Sequence, residues 1–435
     1  MVRLSHVTLA GFPSGVGWPA YVREAVTPGI VHLGIGAFHR AHQAWYVDAC
    51  LASGQTDWGI VGVSLRSPET RNALMPQDGL YTLSIRDGDT EHLSVIGSVT
   101  GLVVAQERPQ ALLDILTDPS IRIVTLTVTE KAYLRGASGK LDRANADLLA
   151  DIANPTEPRT LYGFIVEALA RRRAASIAPF TVLSCDNLPA NGRTLHDLVV
   201  EYSTLRSDEL ARHIEADVAF PSSMVDRIVP ATTQQDRDRI SSRLGMTDAG
   251  PVVSEPFAQW VVEDNFPTGR PDWEQFGVTM VADVTPYELM KLRMLNGAHS
   301  AIAYLGQLLD LQTVPEAFAH PGSAISSMGC GPKLSRPFPQ APDLIHKSMR
   351  SGSHGGFPIA HCSIARRKSP MTVRKSCRSA SSPPLSSAWP RTAQRNIWSS
   401  SSPPGSLLLR QEALRHCFPI RWTHKCAAST SRRRT

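Results

Sequence analysis

An amine, an amide and an imidazole fall within nine residues in the stretch Lys291-Leu292-Arg293-Met294-Leu295-Asn296-Gly297-Ala298-His299. Such groups can take a proton, donate to a developing oxyanion and hold a hydroxyl. Thr285-Pro286-Tyr287-Glu288, just before, reads as a helix start, with Thr285 as N-cap, Pro286 in the first turn and Glu288 three residues on. At about 100° per residue, Glu288 falls about 60°, His299 about 80° and Asn296 about 140° from Lys291 around an ideal helix. All four share one side of a helix that is otherwise apolar (Leu289, Met290, Leu292, Met294, Leu295). Each has a plainer reading as well. Glu288 can complete a capping box, a helix lysine is commonly solvated, and a lone histidine is commonly structural. Asn296 and Gly297 are harder to dismiss, because an interior asparagine competes for the backbone and a helix glycine costs about 1 kcal/mol against alanine. Gly297 therefore predicts close approach of a ligand or of another backbone.

A second constellation stands near the start of the chain, where the apolar run Gly29-Ile30-Val31-His32-Leu33 enters Gly34-Ile35-Gly36-Ala37-Phe38-His39. A strand, a tight turn and then a helix from Ala41 to about Leu51 are predicted. Gly34 and Gly36 would let backbone approach a pyrophosphate at a helix N-terminus, whose free N–H groups favour anions. His39 occupies the third position of G-x-G-x-x-G, so the motif alone reads equally as an ordinary strand-to-helix turn.

The elements around these segments have an α/β pattern. Residues 121–128 and 180–185 read as buried strands, and Arg159 to Ala174 reads as a helix. The basic end of that helix, Arg171-Arg172-Arg173, suits a helix C-terminus better than a nucleic-acid contact. Tyr81–Arg86 and His92–Val99, across Asp87-Gly88-Asp89, read as a hairpin. A further strand is expected from Trp58 to Val63, followed by Ser64-Leu65-Arg66-Ser67, where an acidic residue would ordinarily hold a ribose 2′-hydroxyl. The nearest carboxylate is Glu69, and Arg66 could accommodate a 2′-phosphate. Cys50 and Cys185 are far apart with no close-spaced ligand set, so no zinc site is expected. The opening Met1-Val2-Arg3-Leu4-Ser5-His6 lacks a sustained apolar core, which points to the cytoplasm.

Read together, GIGAFHRAHQAWYVD (34–48), GVSLRSPETRNALMPQDGLYTL (62–83), TVTEKAY (127–133), SCDNLPANG (184–192), FPSSMVDRIVP (220–230), EPFAQWVVEDNFP (255–267) and PYELMKLRMLNGAHS (286–300) closely resemble one family. It is the polyol-specific long-chain dehydrogenases, which include mannitol 2-dehydrogenase and fructuronate (mannonate) reductase. The resemblance covers roughly residues 25 to 320. It implies a Rossmann-type dinucleotide-binding domain over 1–284, followed from 285 by a mainly α-helical substrate domain. It implies NAD in preference to NADP, a small polyol or sugar-acid substrate, and a monomer with no specific nucleic-acid or membrane partner. Lys291 resembles the general base, Asn187 and Asn296 the amide donors to the reacting oxygen, and His299 a substrate-positioning partner. Glu288 would pass the proton to solvent, and Asp226 would hold a distal substrate hydroxyl. The cofactor would lie on Gly34, Ile35, Gly36, Ala37, Phe38 and His39, with Arg66 near its ribose. No metal is required.

Near residue 321 the text changes character. Residues 1–320 hold 26 basic and 37 acidic side chains, a net of −11, whereas the last 115 hold 19 and 2, a net of +17. That stretch also holds five of the seven cysteines and 22 serines. The overall charge of +6 therefore belongs to the tail and misdescribes the enzyme-like part. A basic disordered arm is one reading. The other is translation in a shifted frame, beginning between residues 319 and 326. Arg374-Lys375-Ser376-Cys377-Arg378-Ser379, written in GC-rich codons and read one base earlier, gives Ser-Gln-Lys-Leu-Pro-Gln, which resembles a signature of the family's C-terminal domain. The family's substrate-binding arginine, in a motif before that signature, has no readable match here. On this reading only the start of the helical domain, 285–320, is kept, and 321–435 is a basic Ser/Pro/Arg-rich tail. The apolar face of 286–310 then lacks its partner, and the chain is expected to be unstable and to have little activity.

Overall fold

The computed structural model describes residues 1–11, 13–313, 316 and 317. All of them belong to a compact unit, Met1–Ala380; a second unit, Ser381–Thr435, and the tail expected from residue 321 lie outside the described residues. The chain enters through β1 (Val16–Gly17), then lays down β2 (Pro28–Leu33) and β3 (Gly59–Ser64), with α1 (Ala37–Ala41) and α2 (Gln43–Ala52) between them. From α3 (Glu69–Leu74) it passes through β4 (Tyr81–Asp87), β5 (Thr90–Ile96) and β6 (Val99–Val104). Next, α4 (Pro109–Thr117) crosses to β7 (Ile123–Leu126), and α5 (Ala146–Ala153) and α6 (Leu161–Ala174) lead to β8 (Thr181–Ser184). Then α7 (Asn191–Thr204) and α8 (Asp208–Asp217) precede β9 (Ser223–Asp226), and α9 (Gln234–Leu244) precedes β10 (Val252–Ser254), β11 (Gln259–Glu263) and β12 (Thr279–Val281). The last helical stretch comprises α10 (Thr285–Met290), a π-helical segment Lys291–Asn296, and α11 (Gly297–Leu308).

Side-chain alternation along the strands decides where the helices must go. Val31, Leu33, Val61, Val63, Val124, Leu126 and Val182 point to one side, into a core shared with α4, α6, α7 and α8. Their neighbours Ile30, Ile60, Ile123 and Leu183 point to the other, against Tyr46, Val47, Cys50 and Leu51 of α2. A strand buried on both faces reads as a continuous apolar run and belongs in a parallel sheet. These strands form one, all parallel, in the order β6-β3-β2-β7-β8. Counted along the chain this is third, second, first, fourth, fifth, the Rossmann-type doubly wound order, so the direction of winding reverses between β2 and β7. Ligands of such sheets bind beyond the carboxyl ends of the strands at that reversal. Gly34 stands there with φ +99°, and a Cβ on it would lie 2.2 Å from the Thr127 carbonyl oxygen at the end of β7.

A second sheet, β1-β5-β4-β10, contains the expected hairpin, but its return strand stops at Ile96, and Val99 opens a separate strand at the edge of the central sheet. A third, β12-β11-β9, pairs β9 antiparallel with β11 and sets Asp226 opposite Gln259. Tyr287 and Met290 of α10 pack on Met224 and Val261 of that sheet. Burial of each such side chain contributes about 1.5–3 kcal/mol, and Lys291 follows directly from this anchor.

Three local expectations need correction. Helix α10 is capped from Val284, and the side chain accepting the Thr285 N–H (2.8 Å) is that of Asp283, so the capping box of Thr285 and Glu288 does not form. The helix after the glycine turn begins at Ala37, four residues earlier than expected, breaks at His42 (φ −124°, ψ −89°) and resumes as α2. Lys291–Asn296 is π-helical, so the angles of an ideal α-helix do not carry across it. The arginine run behaves as a helix end. Buried Arg172 donates to the carbonyls of Leu116, Asp118 and Ala178 (2.8–2.9 Å), while Arg171 and Arg173 pair with Glu167 and Glu209.

A Gly34→Ala substitution is expected to combine left-handed strain of about 1–3 kcal/mol with a collision against Thr127. The urea midpoint should fall accordingly, and an unchanged midpoint would show that the turn is not held as described.

Candidate active site

Two chain segments close around the Lys291 amine, which is buried. From the loop after β8, the Asn187 Oδ1 accepts from Nζ at 3.2 Å. From β9, the Val225 carbonyl accepts a close hydrogen bond, and the Asp226 carboxylate lies 3.7 Å from Nζ. Burial disfavours the charged amine and lowers its pKa below the usual lysine range; the charges of Asp226 and Glu288 oppose that shift without cancelling it. The same burial raises the Asp226 carboxyl, with Lys291 and His299 pulling it back. Asp226 therefore sits beside the amine itself.

Glu288 is half-buried one turn earlier, with both carboxylate oxygens 3.1 Å from the Ala190 N–H. Desolvation raises its pKa. Asn296 ends the π-helical segment, half-buried. His299 is exposed on α11 within electrostatic reach of Asp226 and Lys291; desolvation lowers its imidazole pKa, and Asp226 opposes that. With its oxygen committed to Lys291, Asn187 is left with its two amide N–H donors for a substrate oxygen. Lys291, Asn187, Asp226 and His299 thus interact in one place, with Glu288 tied to the same loop. Among the described residues, a Cβ at Gly297 would meet only the Leu292 carbonyl at an ordinary 3.7 Å, so no other described backbone crowds that glycine.

Several supporting residues had no signal in the spacing of the sequence. Asp186 accepts from the Val128 N–H at 2.8 Å and the Tyr133 hydroxyl at 2.6 Å, joining TVTEKAY to SCDNLPANG. Burial pushes its carboxyl up to about 7. Buried Arg227 donates to the carbonyls of Ala41 and Glu255, tying the end of α1 to the residue after Asp226. Both act through long-range side-chain hydrogen bonds, most of them to backbone, which leave no periodicity to read.

The glycine turn lies at the carboxyl end of β2. The N–H groups of Gly34 and Ile35 donate to Val63 and that of Gly36 to Gly34, so these three amides are already engaged. The donors a phosphate would meet are the first N–H groups of α1, from Ala37, Phe38 and His39, which no helix satisfies internally. Among the described residues, a Cβ at Gly36 would meet nothing nearer than the Gly34 carbonyl at 3.8 Å, so no described side chain packs against that position. This cradle fits a dinucleotide. Ile35 buries its side chain, and the Phe38 ring stacks on His42 at 5.1 Å. His39 is fully buried and stacked on His32 (ring centroids 3.4 Å apart), which is itself held by Thr125 and Thr127 at 2.7 Å. The imidazole pair thus fills the space between helix and strand that a third glycine would leave. Arg66 lies exposed past the end of β3, 3.7 Å from Asp147. Cys50 and Cys185 are buried and free, and among the described residues no group of three or more His, Cys, Asp or Glu could hold a metal ion. Among them, too, no helix is long and apolar enough to cross a membrane.

Comparison with known proteins matches residues 28–275 to the mannitol dehydrogenase Rossmann domain and residues 283–326 to the mannitol dehydrogenase C-terminal domain. The mannitol 2-dehydrogenase of Cereibacter sphaeroides is 47% identical over 306 residues, 70% of this chain and 64% of that protein. The D-mannonate oxidoreductase of Escherichia coli K12 is 43% identical over 311 residues, 70% of this chain and 64% of that protein. The chain thus spans less than two thirds of the length of these curated relatives. Among solved structures, Pseudomonas fluorescens mannitol 2-dehydrogenase in ternary complex with NAD and D-mannitol superposes with a TM-score of 0.75 at 40% identity, covering 86% of this chain and 76% of that one.

The raised Asp186 carboxyl has a signed consequence for stability. Between about pH 4 and 7 the folded chain keeps a proton that the unfolded chain has released, so this group's contribution is full below pH 4 and is lost as pH rises towards 7. Buried His32, with its pKa lowered to about 3, contributes the opposite slope from pH 3 to 6.5. In Asp186→Asn only the first slope disappears. The difference in unfolding free energy between variant and wild type should therefore shift in the variant's favour from pH 4 to 7, as read by urea titration; a pH-independent difference would sink this assignment.

Proposed function

The chain belongs to the mannitol dehydrogenase family, and from that premise we propose that it interconverts a sugar alcohol and a ketose, of the mannitol/fructose type, with NAD as the hydride acceptor. The reading rests on one observation above the others: a buried amine of lowered pKa, Lys291, held between Asn187 and the Val225–Asp226 end of β9. An amine whose pKa burial has lowered is a better match for taking the hydroxyl proton as the C–H bond on the same carbon gives up its hydride, so the proposed reaction runs without a metal ion to acidify the alcohol. NAD, when bound, supplies the acceptor for that hydride. Asn187 and Asn296 donate to the oxygen as it becomes a carbonyl, and the fixed loop and helix pre-orient them. His299 and Asp226 bind hydroxyls next to the reacting carbon. Glu288, half-buried and sensitive to the Lys291 charge, passes the proton from Lys291 towards solvent.

For the cofactor, the first N–H groups of α1 and the open approach at Gly36 receive the pyrophosphate. No carboxylate follows β3 closely, and Arg66, partly screened by Asp147, tolerates a 2′-phosphate; NAD is nevertheless preferred on the likeness to the NAD-bound Pseudomonas enzyme. Fructuronate and mannonate form the alternative substrate pair, favoured by the 43% identity to a D-mannonate oxidoreductase. We place the domain boundary near residue 284, where the second family match begins at residue 283, and the change of reading frame between 319 and 326, where that match ends. On that account the 435-residue chain binds dinucleotide but turns over poorly, the alternative outcome being a product without enzymatic activity.

Two measurements test this. NADH oxidation should occur with fructose or fructuronate, and Lys291→Ala should lower kcat by about 10²–10⁴-fold while leaving NADH binding intact; equal turnover by wild type and variant would remove the lysine from the mechanism. Resequencing codons 310 to 340 should reveal an inserted or missing base, and the frame-corrected protein should then exceed this chain in activity.

A further inference from the structure

The acceptors around Lys291 come from two segments with no covalent reason to lie together, the loop after β8 and the strand β9. Asn191, at the start of α7 and 1% exposed, joins them. Its Nδ2 donates to the Asp186 carbonyl (2.9 Å) on the loop and to the Ser223 carbonyl (2.8 Å) at the head of β9, and its Oδ1 accepts from the Ser223 N–H (2.9 Å). Both amide protons and one oxygen lone pair are thereby used, and the Ser223 hydroxyl adds a parallel tie to the Ser184 carbonyl (2.7 Å). Asp186 immediately precedes Asn187, and Ser223 is three residues before Asp226 on a strand whose pairing with β11 is fixed. A pin between Asp186 and Ser223 therefore sets the gap into which the amine fits.

We propose that Asn191 is a positioning residue for the Lys291 site: its buried amide fixes the separation between Asn187 and the Val225–Asp226 end of β9, and so the cage of acceptors around the amine. A buried amide that loses its partners leaves three backbone groups unsatisfied, which favours entry of water or separation of the two segments. Either change lets solvent reach Lys291, and desolvation is the cause that lowers its pKa. The inference deepens the functional reading, on which only the consequence for catalysis rests.

The test is the titration of the Lys291 amine in the full chain, followed by competitive labelling with acetic anhydride across pH and mass spectrometry of each lysine, with exposed Lys131 and Lys140 as internal references. In Asn191→Ala, Lys291 should titrate higher than in wild type by about one pH unit. Asn191→Ser, which keeps a short hydroxyl towards Ser223, should move it part of the way and carries the test if the alanine variant does not fold. Leu195→Ala empties a fully buried position of the same helix and should lower the urea midpoint without moving the lysine. An unchanged titration in the Asn191 variants, or an equal change in Leu195→Ala, would overturn the proposal. Absence of NADH turnover would count against the dehydrogenase reading and leave the titration fully readable.

Discussion

A lysine ammonium taken out of water must either find acceptors or give up its proton, and at Lys291 these two pulls oppose each other. One carbonyl, one amide oxygen and one carboxylate 3.7 Å away keep the charged form accessible, while burial holds the pKa below that of a solvated lysine. Neither effect suffices alone. A fully paired lysine would stay charged and could not take a proton; an unpaired one would be neutral but unheld. The fold can be understood as what is needed to maintain this intermediate condition. Helix α10 seats Tyr287 and Met290 on the third sheet so that the next residue meets β9. The parallel sheet meanwhile delivers Asn187 from beyond the end of β8, the same edge at which β2 delivers the glycine turn.

That edge also brings the glycine turn and the Asn187 loop to one side of the sheet. All five central strands run in one direction, so their carboxyl ends share a side, and the winding reverses between β2 and β7. Two polar side chains fasten the layers there. Asp186 joins the segment after β7 to the Asn187 loop, and Arg227 joins the end of α1 to the end of β9. Buried groups of this kind hold position because leaving them unsatisfied costs more than a hydrogen bond contributes. They are therefore stiffer links than apolar contact would supply.

The sequence was most legible where chemistry coincided with periodicity. The apolar strands, the helix ending in three arginines and the glycine turn follow from patterns of two and about 3.6 residues and from residue types that tolerate few backbones. The lysine helix was legible in composition but not in shape. The π-helical stretch from Lys291 to Asn296 widens the turn under the site's own residues, and π segments occur frequently at functional sites. Its sequence, Lys-Leu-Arg-Met-Leu-Asn, is five good helix formers ending in Asn296, and that asparagine marks an irregularity without giving its shape. Glu288 shows the same limit: its spacing suited a capping box, yet its carboxylate reaches the Ala190 N–H, 98 residues away in sequence. His39 is the converse case. An imidazole in place of a glycine looked like a defect in the fingerprint, and it becomes intelligible only with His32 stacked beneath it and Thr125 and Thr127 holding that ring.

Because Lys291, Asp226, His299 and Glu288 perturb one another, their protons belong to the group as a whole. A proton leaving Lys291 removes a positive charge that Asp226 and Glu288 both feel, so each carboxyl becomes easier to protonate as the amine becomes neutral. The charge state of the amine is therefore felt on both carboxylates. Glu288, anchored by a backbone N–H on the same loop as Asn187, is the member already turned towards that loop, whereas Asp226 lies at the end of β9, 3.7 Å from the amine. One carboxylate stands beside the amine on β9 and the other sits on the lysine's own helix against the loop after β8, so the two respond to its charge from different elements.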